Sequence, residues 1–366
     1  MSNKKYLLVN GSSKEILNSF PPEIFHSVIT SPPYFNLRDY SVEGQLGQEK
    51  SPEEYVENLV EICRGVKRVL RKDGTFWLNI GDSYNSDSGF CRATNGWDRE
   101  GREQGSSDKK AIKHSYIKRK ELFGVPWLVA FALQRDEWFL RCDIIFAKKN
   151  VMPDGAKDRP TRSHEYVFLL SKSSKYFYDY YNSLEATAYS PKNIQKFGAR
   201  NQVGTFRNDQ NRTFQAYGMR NRRSVWETSV SSFSGNHWAT FALELIEPCI
   251  KVSTSDHGCC AQCGTPWSRK TEVIQIKPYN EEECEKKIVP LAWKKSCNCD
   301  TNEIKPCLIL DPFSGMATTG IGCLKYNRNY VGIDINSEYI NLSRERIYKE
   351  MGDDMFMEEI SNLGDF

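Results

Sequence analysis

Four consecutive residues, Ser31-Pro32-Pro33-Tyr34, combine a small hydroxyl, two ring-locked backbones and an aromatic, directly after the apolar run FHSVIT (25–30). Proline lacks the N–H that a strand ladder needs, so the run reads as a buried strand ending at Thr30, with Tyr34 exposed just past it. In open α/β sheets the C-terminal edge of the strands is where ligands bind. The prolines would hold neighbouring hydrogen-bond acceptors in fixed positions there. A strand-terminating turn is the alternative reading of these four residues alone.

A second constellation, LILDPFSGMATTG (308–320), places an acid and glycines at a strand-to-helix turn. Gly315 lets the backbone approach a ligand closely, and Gly320 lets the following helix pack. Asp334 lies 23 residues beyond Asp311, an offset at which an acid can bind ribose hydroxyls. There is no strict GxGxxG and no P-loop lysine, which disfavours nicotinamide and ATP. Asp311 would repel a diphosphate but suits a cation. S-adenosyl-L-methionine, with a sulfonium, an ammonium and no phosphate, meets these conditions; an ordinary βαβ turn is the alternative.

The chain has 12 cysteines, and five of them fall in two tight groups. Cys260-x2-Cys263 and Cys297-x-Cys299 offer four thiolates in two close pairs, which suits tetrahedral zinc. Four thiolates leave no open position, so a structural Zn2+ is expected. Cys259 could take the place of Cys260, and reduced thiols without metal are the alternative. Between 191 and 223, Lys192, Lys196, Arg200, Arg207, Arg212, Arg220, Arg222 and Arg223 are opposed only by Asp209 and interleave with Phe197, Phe206, Phe214 and Tyr217. Such a segment can hold phosphates and read bases, or be a solvated basic loop. A smaller basic run, Lys109 to Lys120, raises the same choice.

The elements that must position these groups alternate between strand and helix. KYLLV (5–9) and FHSVIT are strands, with a short helix at KEILNSF between them. Ser51-Pro52-Glu53 opens a helix whose apolar spacing is near 3.6 and which should stop at Asp73-Gly74. TFWLNIGD (75–82) is the next strand. Residues 84–120 read as a long mobile loop. A helix over 126–138 and two strands, 139–149 and 165–173, follow, the strands as an antiparallel pair at the sheet's edge. A helix covers 237–254, and 307–336 is strand, loop, helix, strand. This alternation predicts an α/β fold with a parallel sheet. The net charge of +3 makes any nucleic-acid affinity a matter of local patches. No stretch of 18 apolar residues and no signal peptide are visible, so a cytoplasmic protein with no membrane partner is expected.

Together, TSPPY and DPFSGMATTG resemble the motifs of the amino-methylating DNA methyltransferases, (S/D/N)PP(Y/F/W) and DPFxGxGTT. The catalytic motif comes first and the cofactor motif some 280 residues later, an order similar to that of the beta class. RPTRSHEYVFLLSKSSKYFYD (159–179) and HWATFALELIE (237–247) also resemble segments of that class. The resemblance covers the chain apart from roughly 182–236 and 84–120.

It implies a circularly permuted Rossmann-like methyltransferase fold. A mostly parallel seven-stranded sheet would carry an antiparallel edge hairpin, an inserted target-recognition region and a small zinc ribbon. The catalytic half would span 1–181, the recognition region 182–236, the cofactor half 237–256 and 301–366, and the ribbon 257–300, placed near the DNA. The substrate would be double-stranded DNA, in a prokaryotic or phage-encoded restriction–modification system with a cognate endonuclease. Ser31 and the Pro32 carbonyl would accept hydrogen bonds from the target's amino group, and Tyr34 would stack on a flipped base. Asn10, Gly11, Thr30, His237, Asp311, Pro312, Phe313, Gly315, Thr318, Thr319, Asp334 and Ile335 would bind S-adenosyl-L-methionine. Lys196, Arg200, Arg207, Arg212, Arg220, Arg222 and Arg223 would bind DNA. Ser at the first motif position is associated with N4 of cytosine, with N6 of adenine as the alternative. RNA or protein methylation, or a vestigial core in a zinc DNA-binding protein, are the competing functions. Two departures stand out: Ser12 replaces the aspartate usual after the first strand, and Ala317 replaces a loop glycine.

Overall fold

The computed structural model describes residues 4–40, 42–86, 111–151, 153–186, 219–228, 243–276, 285–352 and 357–366. Along the chain the elements are β1 (Lys4–Asn10), α1 (Ser13–Ser19), β2 (Phe25–Thr30), α2 (Pro52–Val69), β3 (Leu70–Ile80), α3 (Val125–Arg135), β4 (Phe139–Lys148) and β5 (His164–Ser171). There follow β6 (Leu184–Ala186), β7 (Met219–Asn221), β8 (Val225–Thr228), α4 (Leu243–Ser253), β9 (Cys259–Cys260), β10 (Ser268–Ile276) and β11 (Glu285–Lys294). The chain ends with β12 (Ile304–Lys305), β13 (Leu308–Asp311), α5 (Thr318–Lys325), β14 (Asn329–Asp334), α6 (Ser337–Met351) and β15 (Met357–Glu359).

One nine-stranded sheet organises the molecule, in the order β15-β1-β14-β13-β2-β3-β5-β4-β8. Every pairing is parallel except those of β5, which runs against both β3 and β4. Side chains alternate between the faces, as the two-residue period of a strand requires. Phe76, Leu78, Phe168 and Leu170 face a core shared with Leu17, Tyr55, Leu59 and Leu133 of α1, α2 and α3. Trp77, Val167, Leu169 and Ile309 face the opposite core with Ile246, Ile250, Ile321 and Ile347 of α4, α5 and α6. Covering both faces with helices buries parallel strands completely, and all six residues of β2 are buried.

The mostly parallel α/β sheet expected from the sequence is present, with three corrections. The sheet has nine strands rather than seven, because the short β8 and β15 extend its two edges. The β4–β5 pair is therefore not the edge: β8 lies outside it, inside the stretch expected to form a separate recognition region. Helix α2 ends at Val69, not at Asp73-Gly74. Its start is as expected: Ser51 Oγ accepts from Glu54 N at 3.2 Å and Pro52 opens the first turn. Its end is overridden by strand pairing, because Phe25 aligns with Leu70 and Lys72 to Gly74 form an irregularity within β3. A Cβ on Gly74 would come within 2.6 Å of Leu70 Cδ1, so the glycine admits a close approach rather than ending a helix.

Candidate active site

Strands β13 and β2 are neighbours, with Ile309 opposite Ser27 and Leu310 opposite Val28. This register brings Asp311 and Ser31 to the same edge although 280 residues separate them. Thr30 Oγ1 joins the two loops by donating to Asp311 Oδ1 at 2.5 Å. Phe313 N donates to the same oxygen at 3.1 Å, and Thr319 Oγ1 donates to Oδ2 at 2.8 Å. Burial pushes the Asp311 carboxyl up to about 6 despite these donors. The neighbouring turn is tied in by Asp334, which accepts from Gly315 N at 2.8 Å and Asn336 N at 2.9 Å. Asn10 Nδ2 donates to the carbonyls of Asp334 and Ile335 at 3.0 and 3.1 Å, and Gly11 N donates to the Asp334 carbonyl at 3.0 Å. The ends of β1, β14 and β13 thus form one cradle beside the Ser31 loop.

Gly315 takes φ +50°, and a Cβ there would meet nothing within 4 Å, so its open side faces space a ligand can fill. Ala317 also adopts the left-handed region, at φ +52°. Thr318 and Thr319, expected to bind the donor, open α5. Both are buried, with the Thr318 hydroxyl held by Arg346 Nη1 at 2.8 Å and that of Thr319 by Asp311. These bonds fix the loop. Pro312 is buried, its carbonyl accepting from Ser13 Oγ, and Phe313 packs against the core. His237 lies outside the described residues. Two residues the motifs did not mark lie near the turn after β14: Tyr40 meets Tyr339 edge-on with ring centroids 6.3 Å apart, and Gly44 approaches Ile335.

The catalytic motif holds its backbone through Pro33, whose carbonyl accepts from Tyr55 Oη at 2.8 Å. Tyr34 is not the exposed aromatic expected from the sequence. Its ring lies against Gly81, where a Cβ would come within 2.6 Å of Tyr34 Cε2. Its hydroxyl reaches inward, accepts from Ser31 Oγ at 3.2 Å and donates to Glu165 Oε2 at 2.9 Å. Asn79 Nδ2 lies 3.3 Å from Ser31 Oγ, 2.8 Å from Tyr34 Oη and 3.0 Å from Glu165 Oε2. Lys148 forms an ion pair with the other Glu165 oxygen. Burial and the Glu165 charge push the Tyr34 phenol well up, so it stays protonated. For Glu165, burial acts upward, but the Lys148 ammonium and the Asn79 and Tyr34 donors outweigh it and hold the carboxyl below its ordinary value.

Asn79, Lys148 and Glu165 were missed in the sequence, although each had a signal. Asn79 is the lone amide inside FWLNI, and Glu165 opens the apolar strand EYVFLL. Lys148 carried less, since lysines commonly end strands.

The cysteine groups converge. The sulfurs of Cys260, Cys263, Cys297 and Cys299 lie within 4.8 Å of one another. Cys259 instead joins Cys307 and His26 beneath them, which assigns Cys260 to the four. The cluster lies at the opposite end of β2 from Ser31. His26, at the start of β2, accepts from Leu308 N at 3.0 Å through Nδ1 and so donates through Nε2 to the Gly264 carbonyl at 2.7 Å. Arg71 Nη1 donates to the Cys263 carbonyl at 3.0 Å. The β10–β11 hairpin that follows is anchored by Arg269, which bridges Asp179 and Asp256, and Asp256 also meets the buried Arg328.

Of the basic segment, residues 219–223 are described. Arg220 and Arg223 both donate to Glu185 at 2.9 Å, so an acid outside the segment partly neutralises it. Arg222 lies over the Trp226 ring at 5.5 Å. Lys196, Arg200, Arg207 and Arg212 lie outside the described residues, as do Lys109 and Lys110.

A DNA methylase family profile matches residues 25–261 and 301–345, taking in both loops, the Asn79 and Glu165 strands and the turn at Asp334. The chain belongs to the amino-methylating DNA methylases. Its relatives include the type II methyltransferases M.SmaI of Serratia marcescens, 34% identical over 93% of this chain and 90% of that protein, and M.Cfr9I of Citrobacter freundii, 35% identical over 94% and 88%. PvuII DNA methyltransferase (cytosine-N4-specific) shares the fold, with a TM-score of 0.53 at 16% identity over 98% of this chain and 97% of that one. A DNA modification methylase from Thermus thermophilus, complexed with S-adenosyl-L-methionine, superposes with a TM-score of 0.51 at 18% identity, covering 98% of this chain and 100% of that one.

Proposed function

We propose that this DNA methylase transfers a methyl group from S-adenosyl-L-methionine to N4 of cytosine in duplex DNA, with N6 of adenine as the second reading. The observation that carries the transfer is the Thr30–Asp311 contact, which sets the SPPY loop against the glycine-bearing cradle. Asn10, Gly11, Gly315, Asp334 and Ile335 would hold the donor, and the buried Asp311 would favour its sulfonium through charge. The target's exocyclic nitrogen has a lone pair delocalised into the ring. Hydrogen bonds from its N–H groups to Ser31 Oγ and the Pro32 carbonyl would encourage it toward tetrahedral geometry, and in-line positioning supplies most of the rate. The neutral Ser31 at the first motif position supports cytosine. The designation of the relatives as type II methyltransferases supports a restriction–modification role with a cognate endonuclease. Among the described residues no helix is long and apolar enough to cross a membrane.

Incubation with mixed-sequence duplex DNA and S-adenosyl-L-methionine, then nucleoside mass spectrometry, tests this. N4-methylcytosine supports the reading, and N6-methyladenine replaces its base. No methylated nucleoside, with the donor bound, overturns DNA methylation.

We also propose that Cys260, Cys263, Cys297 and Cys299 hold a structural zinc ion. Four sulfurs within 4.8 Å suit one tetrahedral ion, and all four cannot be thiolates at that spacing without a cation. Metal analysis of the purified protein should give one zinc per chain, lost in Cys260→Ser/Cys297→Ser.

A further inference from the structure

Methylation of an amino group leaves a proton that must go somewhere. As the nitrogen attacks, the sulfonium C–S bond breaks with its electron pair going to sulfur, and the nitrogen carries the positive charge. Ser31, the motif's acceptor for this group, already has its own proton pointed at another oxygen. Ser31 Oγ donates to Tyr34 Oη at 3.2 Å, and Tyr34 Oη donates to Glu165 Oε2 at 2.9 Å. Asn79 Nδ2 lies within 3.3 Å of all three oxygens. Lys148 fixes the far carboxylate oxygen, and the Glu165 side chain keeps 18% of its surface open.

We infer that Glu165 is the terminus of a proton relay that runs from the target amino group through Ser31 and Tyr34. This inference rests on amino-group methylation at Ser31. The N–H proton passes to Ser31 Oγ, the Ser31 proton to Tyr34 Oη and the Tyr34 proton to Glu165 Oε2. The products are a neutral methylamino group, a thioether and a protonated Glu165, which then releases its proton to solvent through its open side. Charge balances, because the sulfonium and the Glu165 carboxylate are neutralised together. Glu165 acts through the two hydroxyls and is a positioning residue for the proton. The route needs the Tyr34 hydroxyl, so it belongs to chains with tyrosine, not phenylalanine, at the fourth motif position.

The test is single-turnover methyl transfer to duplex DNA at saturating S-adenosyl-L-methionine from pH 3.5 to 9, a window that reaches below the ordinary carboxylate range where Glu165 takes up its proton. The variants are Glu165→Gln, Tyr34→Phe, their double mutant and Lys148→Met, each checked for donor binding and melting temperature. Wild-type transfer should fall on the acid side as Glu165 takes up a proton. The groups that bear on that limb are Lys148 from β4, His164 beside Glu165 on β5, Asn79 from β3, and Tyr34 with Tyr55 behind it. Glu165→Gln should slow transfer by about 10²-fold, the lower end for a general base, and abolish the acid limb. Tyr34→Phe should match it, and the double mutant should lose no more than either. Lys148→Met should move the limb to higher pH. Folded Glu165→Gln with wild-type rate and pH profile overturns the relay, as do additive losses in the double mutant. Absence of product from the wild-type protein would instead defeat the underlying reading of the site.

Discussion

Ser31 and Asp311 face the same reaction from opposite sides, and each makes a separate prediction. Ser31→Ala removes an acceptor that matters only as the nitrogen rehybridises, so the transfer rate should fall about 10²–10³-fold. Donor affinity should stay within about three-fold, because the cradle residues are untouched; a parallel loss in equilibrium binding would show that Ser31 shapes the donor site instead. Asp311 is the opposite case, a buried carboxyl raised by desolvation to about 6. Its folded value lies above its unfolded one, near 4, so the folded protein takes up this proton first as pH falls. Ionised Asp311 therefore opposes folding above pH 6, by up to about 3 kcal/mol, and that opposition fades between pH 6 and 4. Asp311→Asn should raise the melting temperature of the ligand-free protein at pH 7, with the gain shrinking at pH 5, and should weaken donor binding. Equal melting temperatures at pH 7 would mean that the three donors already offset the burial.

At the scale of elements, short-range chemistry was legible where it acts alone and illegible where pairing competes. The start of α2 could be read because its signals act within one turn: Ser51 accepts from Glu54 N, and Pro52 has no N–H to satisfy. Its end could not, because β2 claims residues from Leu70 onward by sheet pairing, a contact 45 residues distant in sequence. Strands β8 and β15 escaped notice because three or four residues are too few to show a period. Tyr34 was misplaced for a related reason: nothing near SPPY in sequence reveals that Gly81 leaves room for its ring. The glycine loop makes the prediction that belongs here. Gly315→Ala forces a side chain into the left-handed region at a cost of about 1 kcal/mol, and its Cβ meets no protein atom. Stability should therefore change little, while calorimetry should show donor affinity falling about ten-fold or more. Unchanged affinity would mean that the open side of Gly315 does not face the donor.

For the whole molecule, the sequence showed that two loops and two cysteine pairs exist, but not which of them share an edge. Strand order decides that: β13 lies beside β2, so SPPY meets DPFSG, while β9 and β12 carry the cysteines to the opposite end of β2. His26 and Ser31 are five residues apart on an extended chain, roughly 16 Å. A metal held by Cys260, Cys263, Cys297 and Cys299 would then secure the base of the sheet and the β10–β11 hairpin without touching the donor cradle. Contacts made there by Arg71, Arg269 and Arg328 are all structural ion pairs or carbonyl bonds. Removing zinc with a strong chelator, or through Cys260→Ser/Cys297→Ser, should lower the melting temperature by about 5 °C or more, the effect of a few kcal/mol on a chain this size. Donor affinity, measured well below the new transition, should stay within about two-fold. If affinity collapses with the metal while the fold persists, strand β2 is transmitting the state of the cysteine cluster to Thr30 and Ser31, and the two ends of the sheet act as one unit.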